Sequence, residues 1–301
     1  MPIHPPPLQP RDKVGIVSTA RKITHEEIKP AFDILKRRDL VPVCGDTIGQ
    51  EHNQYAGDDD TRAADFQSML DDPSIRAIHC ARGGYGTVRI IDQLDFSSLP
   101  EKPKWITGFS DVTVLLSHLY QHHNIITLHA TMPLKFPNNT PASLQSLYDA
   151  WFGKQLHYDI EYHPFDQTGE AKAPLVGGNL SVLYSLLGSP SDIDTDGAIL
   201  FLEELDEYLY HIDRMMMNLR RNGKLRNLAG LIIGAMTDMN DNQLPYGKTA
   251  EEIVHEHVHD ADYPVLFGFA AGHIPDNRAL KMGANISLKV SESKGEVRFH
   301  E

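Results

Sequence analysis

Short apolar runs alternate with amphipathic segments through the first half of the chain. Apolar runs at 14–18, 40–43, 77–80, 105–107 and 125–128 have the length and composition of buried strands. Helix-like segments separate them, and the first begins at Thr24 with Glu27 three residues later, the pattern of a capping box. Strands that alternate with helices predict a parallel sheet covered by helices on both faces.

The pattern changes near residue 140. Residues 141–174 form a short helix and then a polar stretch that contains Gly, Pro and His, which we interpret as a connection between domains. Apolar runs at 199–202, 231–234, 265–267 and 286–290 predict a second, mixed α/β domain. The sequence therefore predicts an N-terminal α/β domain at 1–140, a connection at 141–174 and a C-terminal domain at 175–301.

Charge and composition narrow the classes of partner. The formal net charge is −13, and no basic patch is evident, so nucleic acid and anionic membranes are not expected partners. No run of 18 apolar residues occurs, and the N-terminus lacks a cationic start followed by an apolar stretch, so we expect a cytoplasmic protein. Cys44 and Cys80 both follow strand-like runs and are expected to be buried free thiols.

The strongest local signal lies at 105–112, where an apolar strand meets Gly108, then Ser110, then a helix. A sharp strand-to-helix turn can present a serine hydroxyl as a nucleophile, and the helix N-terminus favours negative charge there. The pattern G-x-S-x-G of hydrolases is incomplete, because Val112 stands where the second Gly would be. Ser110 is equally compatible with a simple helix N-cap.

A glycine-rich loop, Ala-Arg-Gly-Gly-Tyr-Gly at 81–86, follows the third predicted strand. Its glycines permit positive φ angles and could direct N–H groups at an oxyanion. Neither the Walker pattern nor the dinucleotide-binding spacing is present, so phosphate binding is weakly supported, and a tight turn alone remains possible.

Two further signals are a pair of carboxylates and a histidine. The apolar run from Ile199 ends in Glu203 and Glu204, where a buried carboxylate would need a partner and could orient a histidine. The chain contains 16 His, but His273 stands out because it lies between small residues after a predicted strand.

A rival signal is H-E-x-x-H at 255–259. On a helix, His255 and His259 would share a face and could bind zinc, with Glu256 as a base. The extended metzincin pattern fails at Asp262 and Val265, and no further Glu lies nearby as a third ligand. We therefore expect no metal.

Taken together, these segments resemble the LD-carboxypeptidase family of serine peptidases, which includes muramoyltetrapeptide carboxypeptidases and microcin-immunity peptidases. The resemblance rests on the loop at 81–86, Gly-Phe-Ser-Asp at 108–111 and four later motifs in the same order. These are Gly-Gly-Asn-Leu at 177–180, Phe-Leu-Glu-Glu at 201–204, Ile-Asp-Arg at 212–214 and Gly-His at 272–273. It implies a flavodoxin-like parallel-sheet N-terminal domain and a smaller swivelling β/β/α C-terminal domain.

The resemblance also implies the site residues. Ser110 would be the nucleophile, Glu203 the orienting acid and His273 the general base, with Glu204 as the alternative acid. Gly84, or Gly83 in its place, and Asp111 would supply the N–H groups of an oxyanion hole.

The implied activity is release of terminal D-alanine from muropeptide tetrapeptides during peptidoglycan recycling, by a homodimer that needs no cofactor. Arg82 is a conceivable donor to the substrate carboxylate, although a loop-bracing role is favoured.

Two alternatives stay open besides zinc. A microcin-immunity-type specificity belongs to the same family, but the connection at 141–174 is modest and contains one Trp, Trp151. A non-catalytic protein whose two α/β domains bind a small ligand belongs to a different class.

Overall fold

A computed structural model describes residues 2–300 of the chain. These residues form two compact units. The first unit runs to Lys154 and also includes Pro275–Gly283, and the second consists of Gln155–Ile274 and the chain from Ala284 onward. Within residues 2–300, no helix is long and apolar enough to cross a membrane.

The strands and helices are numbered in chain order. The strands are β1 (Lys13–Val17), β2 (Val41–Cys44), β3 (Ile75–Cys80), β4 (Trp105–Gly108), β5 (Thr127–His129), β6 (His157–Glu161), β7 (Gly169–Asn179), β8 (Ile199–Leu205), β9 (Gly230–Thr237), β10 (Val265–Leu266), β11 (Leu280–Met282), β12 (Asn285–Val290) and β13 (Lys294–Phe299). The helices are α1 (His25–Arg37), α2 (Asp59–Asp71), α3 (Thr113–His123), α4 (Pro141–Trp151), α5 (Leu180–Leu186), α6 (Leu209–Arg221) and α7 (Ala250–Val258).

The first unit is built on a six-stranded sheet in the order β11-β5-β4-β3-β1-β2. All pairs are parallel except β11 with β5, so the parallel part has the order 2-1-3-4-5 of flavodoxin-like sheets. The predicted parallel sheet is confirmed, as is the capping box that starts α1, in which Thr24 and Glu27 cap each other's backbone N–H groups. In such sheets, ligands bind at the carboxyl ends of the strands where the order reverses, here between β1 and β3.

The second unit contains a seven-stranded sheet in the order β10-β9-β8-β7-β12-β13-β6. Strands β7 to β10 run parallel, whereas β7, β12, β13 and β6 pair antiparallel. Residues Ile199–Glu204 of β8 are all buried, as expected for a central parallel strand with both faces covered. Along β12, buried residues alternate with residues that are exposed or half-buried, which is typical of a sheet with one solvated face.

The structure differs from the sequence-based organisation in two segments. Residues 141–174 consist largely of regular structure: α4 belongs to the first unit, whereas β6 and the start of β7 belong to the second. Pro275–Gly283, expected in the C-terminal domain, belongs to the first unit, where β11 pairs with β5.

The expectation that both cysteines are buried was wrong for Cys44. Cys80 lies in the central strand β3 and is buried, whereas Cys44 ends the edge strand β2 and is exposed. Both thiols are free.

Candidate active site

Ser110 lies in the turn that joins β4 to α3. Its φ of 62° is in the left-handed region, which a residue other than Gly, Asn or Asp rarely occupies. A Cβ on Gly108 would lie 2.7–2.9 Å from three atoms of the Val112 side chain, so the turn is tight enough to require glycine there. A strained residue at a sharp strand-to-helix turn is typical of a serine held as a nucleophile.

The side chain of Asp111 fastens this turn to the glycine-rich loop. Asp111 is buried, and its Oδ2 accepts a hydrogen bond of 2.9 Å from the backbone N–H of Thr87. Burial raises the pKa of the Asp111 carboxyl, and hydrogen bonds from Thr87 and Gly86 oppose that rise. The contact fixes the loop after β3 relative to the turn after β4.

The glycine-rich loop packs directly on the serine. A Cβ on Gly83 would lie 3.1 Å from the Ser110 Oγ and 3.5 Å from the Asp111 backbone N. Gly84 has a φ of 124° and is exposed. The loop therefore brings Gly83, Gly84 and the N–H of Asp111 close to Ser110, whereas their role as an oxyanion hole stays a prediction.

A buried arginine that the sequence analysis missed braces the same loop. Arg62 Nη1 donates hydrogen bonds to Thr19 O at 2.6 Å and to Gly86 O at 3.0 Å. A Cβ on Gly86 would lie 2.6 Å from this nitrogen. Arg62 comes from α2, far along the chain from both loops, so no local motif could have indicated it.

In the second unit, Glu203 and His273 form a hydrogen-bonded pair. His273 Nδ1 lies 2.8 Å from Glu203 Oε2, and the Glu203 side chain is completely buried. The His273 side chain is 11% exposed, so the imidazole retains access to solvent. A buried carboxylate on one ring nitrogen fixes the orientation and the tautomer of the imidazole.

Gly272 makes this pairing possible. Its φ is 117°, and a Cβ there would lie 2.8 Å from Glu203 Oε2 and 3.0 Å from Glu203 Cβ. Only glycine leaves room for the carboxylate beside the backbone. The sequence signal was the Gly before His273, whose steric reason appears only in the structure.

Glu204, the alternative acid, has other partners. Its carboxylate accepts hydrogen bonds from Asn179 Nδ2 at 2.9 Å, from the Ser181 N–H at 2.6 Å and from the Leu205 N–H at 2.9 Å. Burial raises the pKa of Glu204 to about 7, with a smaller contribution from the neighbouring charge of Glu203. Glu204 thus secures the turn between β7 and α5.

The H-E-x-x-H residues do not form a metal-binding cluster of three ligands. The His255 ring stacks on Phe165 at 4.5 Å, and Glu256 pairs with Lys248. Among residues 2–300, a single group of three side chains has the spacing for a metal ion, and it contains neither His255 nor His259. That group consists of the exposed His157 and Asp159 and the half-buried Glu296, and Lys294 forms ion pairs with both of its carboxylates.

Comparisons with known proteins identify the family of this chain. Residues 14–130 match the model of the LD-carboxypeptidase N-terminal domain, and residues 172–288 match that of the LD-carboxypeptidase C-terminal domain. A probable murein peptide carboxypeptidase of Bacillus subtilis is 32% identical, over 96% of this chain and 92% of its own length. A murein tetrapeptide carboxypeptidase of Pseudomonas aeruginosa is 27% identical, over 93% of this chain and 94% of its own length.

A solved structure supports the fold. The crystal structure of a muramoyltetrapeptide carboxypeptidase from Oxalobacter formigenes superimposes with a TM-score of 0.87, covering 96% of this chain and 99% of that one at 22% identity. The two family models together match more than half of the residues, in the order that the motifs predicted. The chain therefore belongs to the LD-carboxypeptidase family.

Proposed function

We propose that this protein is a serine-type carboxypeptidase that releases the terminal D-alanine of muropeptide tetrapeptides. Ser110 is the nucleophile, His273 the general base and Glu203 the acid that orients the imidazole. The observation that carries the proposal is the left-handed backbone of Ser110, held against a glycine-rich loop. Strain of this kind costs about 1–3 kcal/mol and is retained where function requires it.

The proposed reaction follows acyl-transfer chemistry. His273 accepts the Ser110 proton through Nε2 as Oγ attacks the scissile carbonyl, and Glu203 stabilises the imidazolium through Nδ1. The N–H groups of Gly84 and Asp111 donate to the tetrahedral oxyanion, each lowering the barrier by about 3 kcal/mol. His273 then protonates the leaving amine, and water activated by His273 hydrolyses the acyl-enzyme.

The substrate class follows from the relatives. The Bacillus subtilis and Pseudomonas aeruginosa proteins are named for murein peptides, and the former is 32% identical across nearly the whole chain. The proposed bond joins an L-centre of a diamino acid to the terminal D-alanine. We also propose, as parts of the same function, a homodimer and a role in peptidoglycan recycling in the cytoplasm.

The test is D-alanine release from a synthetic muropeptide tetrapeptide. Ser110→Ala should abolish turnover and covalent labelling by a fluorophosphonate while the circular dichroism spectrum is preserved. Ser98→Ala is the matched control, because Ser98 is exposed and belongs to the same unit. Unchanged turnover in Ser110→Ala would refute the assignment of the nucleophile, and absence of turnover in the unmodified protein would favour a small-ligand-binding protein.

A microcin-immunity specificity is the second candidate. The microcin C7 self-immunity protein of Escherichia coli is 22% identical over 95% of this chain. Side-by-side assays with a muropeptide tetrapeptide and a peptidyl nucleotide distinguish the muropeptide specificity from the microcin-immunity specificity. We expect a kcat/KM at least about tenfold higher for the muropeptide, which corresponds to about 1.4 kcal/mol of transition-state binding.

A further inference from the structure

Three loops meet at one edge of the first sheet. Strands β4, β3 and β1 are neighbours and run parallel, so the loops that follow them emerge side by side. The loop after β4 carries Ser110, the loop after β3 carries Gly83 and Gly84, and the loop after β1 carries Arg21. Arg21 therefore stands at the reversal of strand order between β1 and β3, the position at which such sheets bind ligands.

The Arg21 side chain lies against the glycine-rich loop. A Cβ on Gly84 would be 2.5 Å from Arg21 Cδ and 2.6 Å from Arg21 Cγ. On the adjacent residue, a Cβ on Gly83 would be 3.1 Å from Ser110 Oγ. Gly83 thus faces Ser110, and Gly84 faces the aliphatic part of Arg21. Because neither glycine has a side chain, both residues can pack closely on the loop.

No ion pair among the described residues neutralises the charge of Arg21. Arg21 is exposed, and no carboxylate within residues 2–300 forms an ion pair with its guanidinium. By contrast, the neighbouring Lys22 pairs with Glu51, and Arg82 Nη1 donates to the Lys22 carbonyl at 3.0 Å. Among the described residues, the Arg21 guanidinium therefore has no carboxylate partner, and the aliphatic part of its side chain packs on the loop that contacts Ser110.

A carboxypeptidase differs from an endopeptidase in recognising a free carboxylate next to the scissile bond. That carboxylate belongs to the leaving residue, so its binding group must lie close to the nucleophile. A guanidinium matches a carboxylate with two parallel hydrogen bonds, which makes arginine suited to this task.

We propose that Arg21 binds the terminal carboxylate of the substrate and so determines the specificity for free C-termini. This inference rests on the proposed function. It makes Arg21, rather than Arg82, the hydrogen-bond donor to the substrate carboxylate, because the Arg82 side chain braces the backbone of the loop after β1.

The experiment compares a muropeptide tetrapeptide with its C-terminal carboxamide. In the unmodified protein, kcat/KM should be roughly 10- to 100-fold higher for the acid, the range expected for one charge-assisted hydrogen-bonding pair. Arg21→Gln should lower kcat/KM for the acid by about the same factor and leave the carboxamide within about threefold, abolishing the preference. Arg21→Lys should retain part of it.

Lys22→Gln is the matched control, because it removes an adjacent positive charge that is already paired with Glu51. It should leave the acid-to-carboxamide ratio unchanged. The proposal is overturned if Arg21→Gln preserves the ratio, if it lowers both substrates equally, or if the unmodified protein shows no preference for the acid. Failure of the unmodified protein to cleave either substrate would instead refute the proposed function.

Discussion

Gly272→Ala tests the geometry of the Glu203–His273 pair without changing either residue. The new Cβ would lie 2.8 Å from Glu203 Oε2, the oxygen that holds His273 Nδ1 at 2.8 Å. Ordinary van der Waals contact begins near 3.4 Å, so either the carboxylate or the backbone must shift by several tenths of an ångström. Glu203 has little freedom to shift elsewhere, because its side chain is fully buried.

The expected loss follows from the role of the orienting acid. Replacing such an acid by its amide lowers kcat about 10⁴-fold in a well-studied triad. Because Gly272→Ala displaces the carboxylate of Glu203 rather than removing it, we expect kcat to fall about 10²- to 10³-fold. Backbone strain at a φ of 117° adds a loss of about 1–3 kcal/mol in the free energy of unfolding.

Gly268→Ala supplies the control. Gly268 also has a positive φ, 72°, but a Cβ there would have nothing within 4 Å. This variant should lose about 1 kcal/mol of stability and keep kcat within about threefold. The assays are D-alanine release and urea unfolding on both variants. A Gly272→Ala protein whose kcat stays within about threefold of the unmodified enzyme would refute the reasoning, as would an equal loss of kcat in Gly268→Ala.

The pKa of Glu204 is raised to about 7 in the folded protein, compared with 4.5 in the unfolded chain. The titration of Glu204 therefore stabilises the folded state below pH 4.5, and this stabilisation is lost as the pH rises through 7. Between pH 4.5 and 8, Glu204 should therefore lower the free energy of unfolding by up to about 3 kcal/mol. Glu204→Gln should flatten this part of the pH profile of urea denaturation, and an unaltered slope in the variant would contradict the prediction. Cys44 is exposed and Cys80 buried, with burial raising the pKa of Cys80 to about 12, so a thiol reagent should label one cysteine in native protein and two in urea. Prompt labelling of two in native protein contradicts this. Asp111→Ala should lower kcat more than it changes KM, because it releases Thr87 and with it the glycine-rich loop; a change confined to KM would show that the contact serves ground-state binding.

Much of the first unit could be predicted from periodicity. Its five parallel strands were each recognisable, with boundaries displaced by one or two residues, because the central ones are largely buried on both faces and are therefore nearly continuous apolar runs. β6 was missed because it alternates exposed His, Asp and Glu with two buried residues at the edge of a sheet, and the pattern reads as a polar connection. β11 was missed because it has three residues, one of them Lys281.

The candidate site was partly predictable for a similar reason. The sequence marks the ends of apolar strands, and so indicates Ser110 and the pair of adjacent glutamates. It does not indicate which glutamate faces His273, because successive side chains of a strand point to opposite faces and β8 carries an irregularity of register between Leu202 and Glu204. Arg62 was unpredictable, since its contacts join segments distant along the chain.

The antiparallel strand β11 affects how the first sheet is completed during synthesis. Its pairing edge on β5 stays open until residues 280–282 have left the ribosome, by which point most of the second unit has already been made. A nascent or truncated chain that ends near residue 154 would thus expose an unprotected β5 edge, a known route to aggregation. A stand-alone version of this unit would need residues 275–283 grafted back through a short linker.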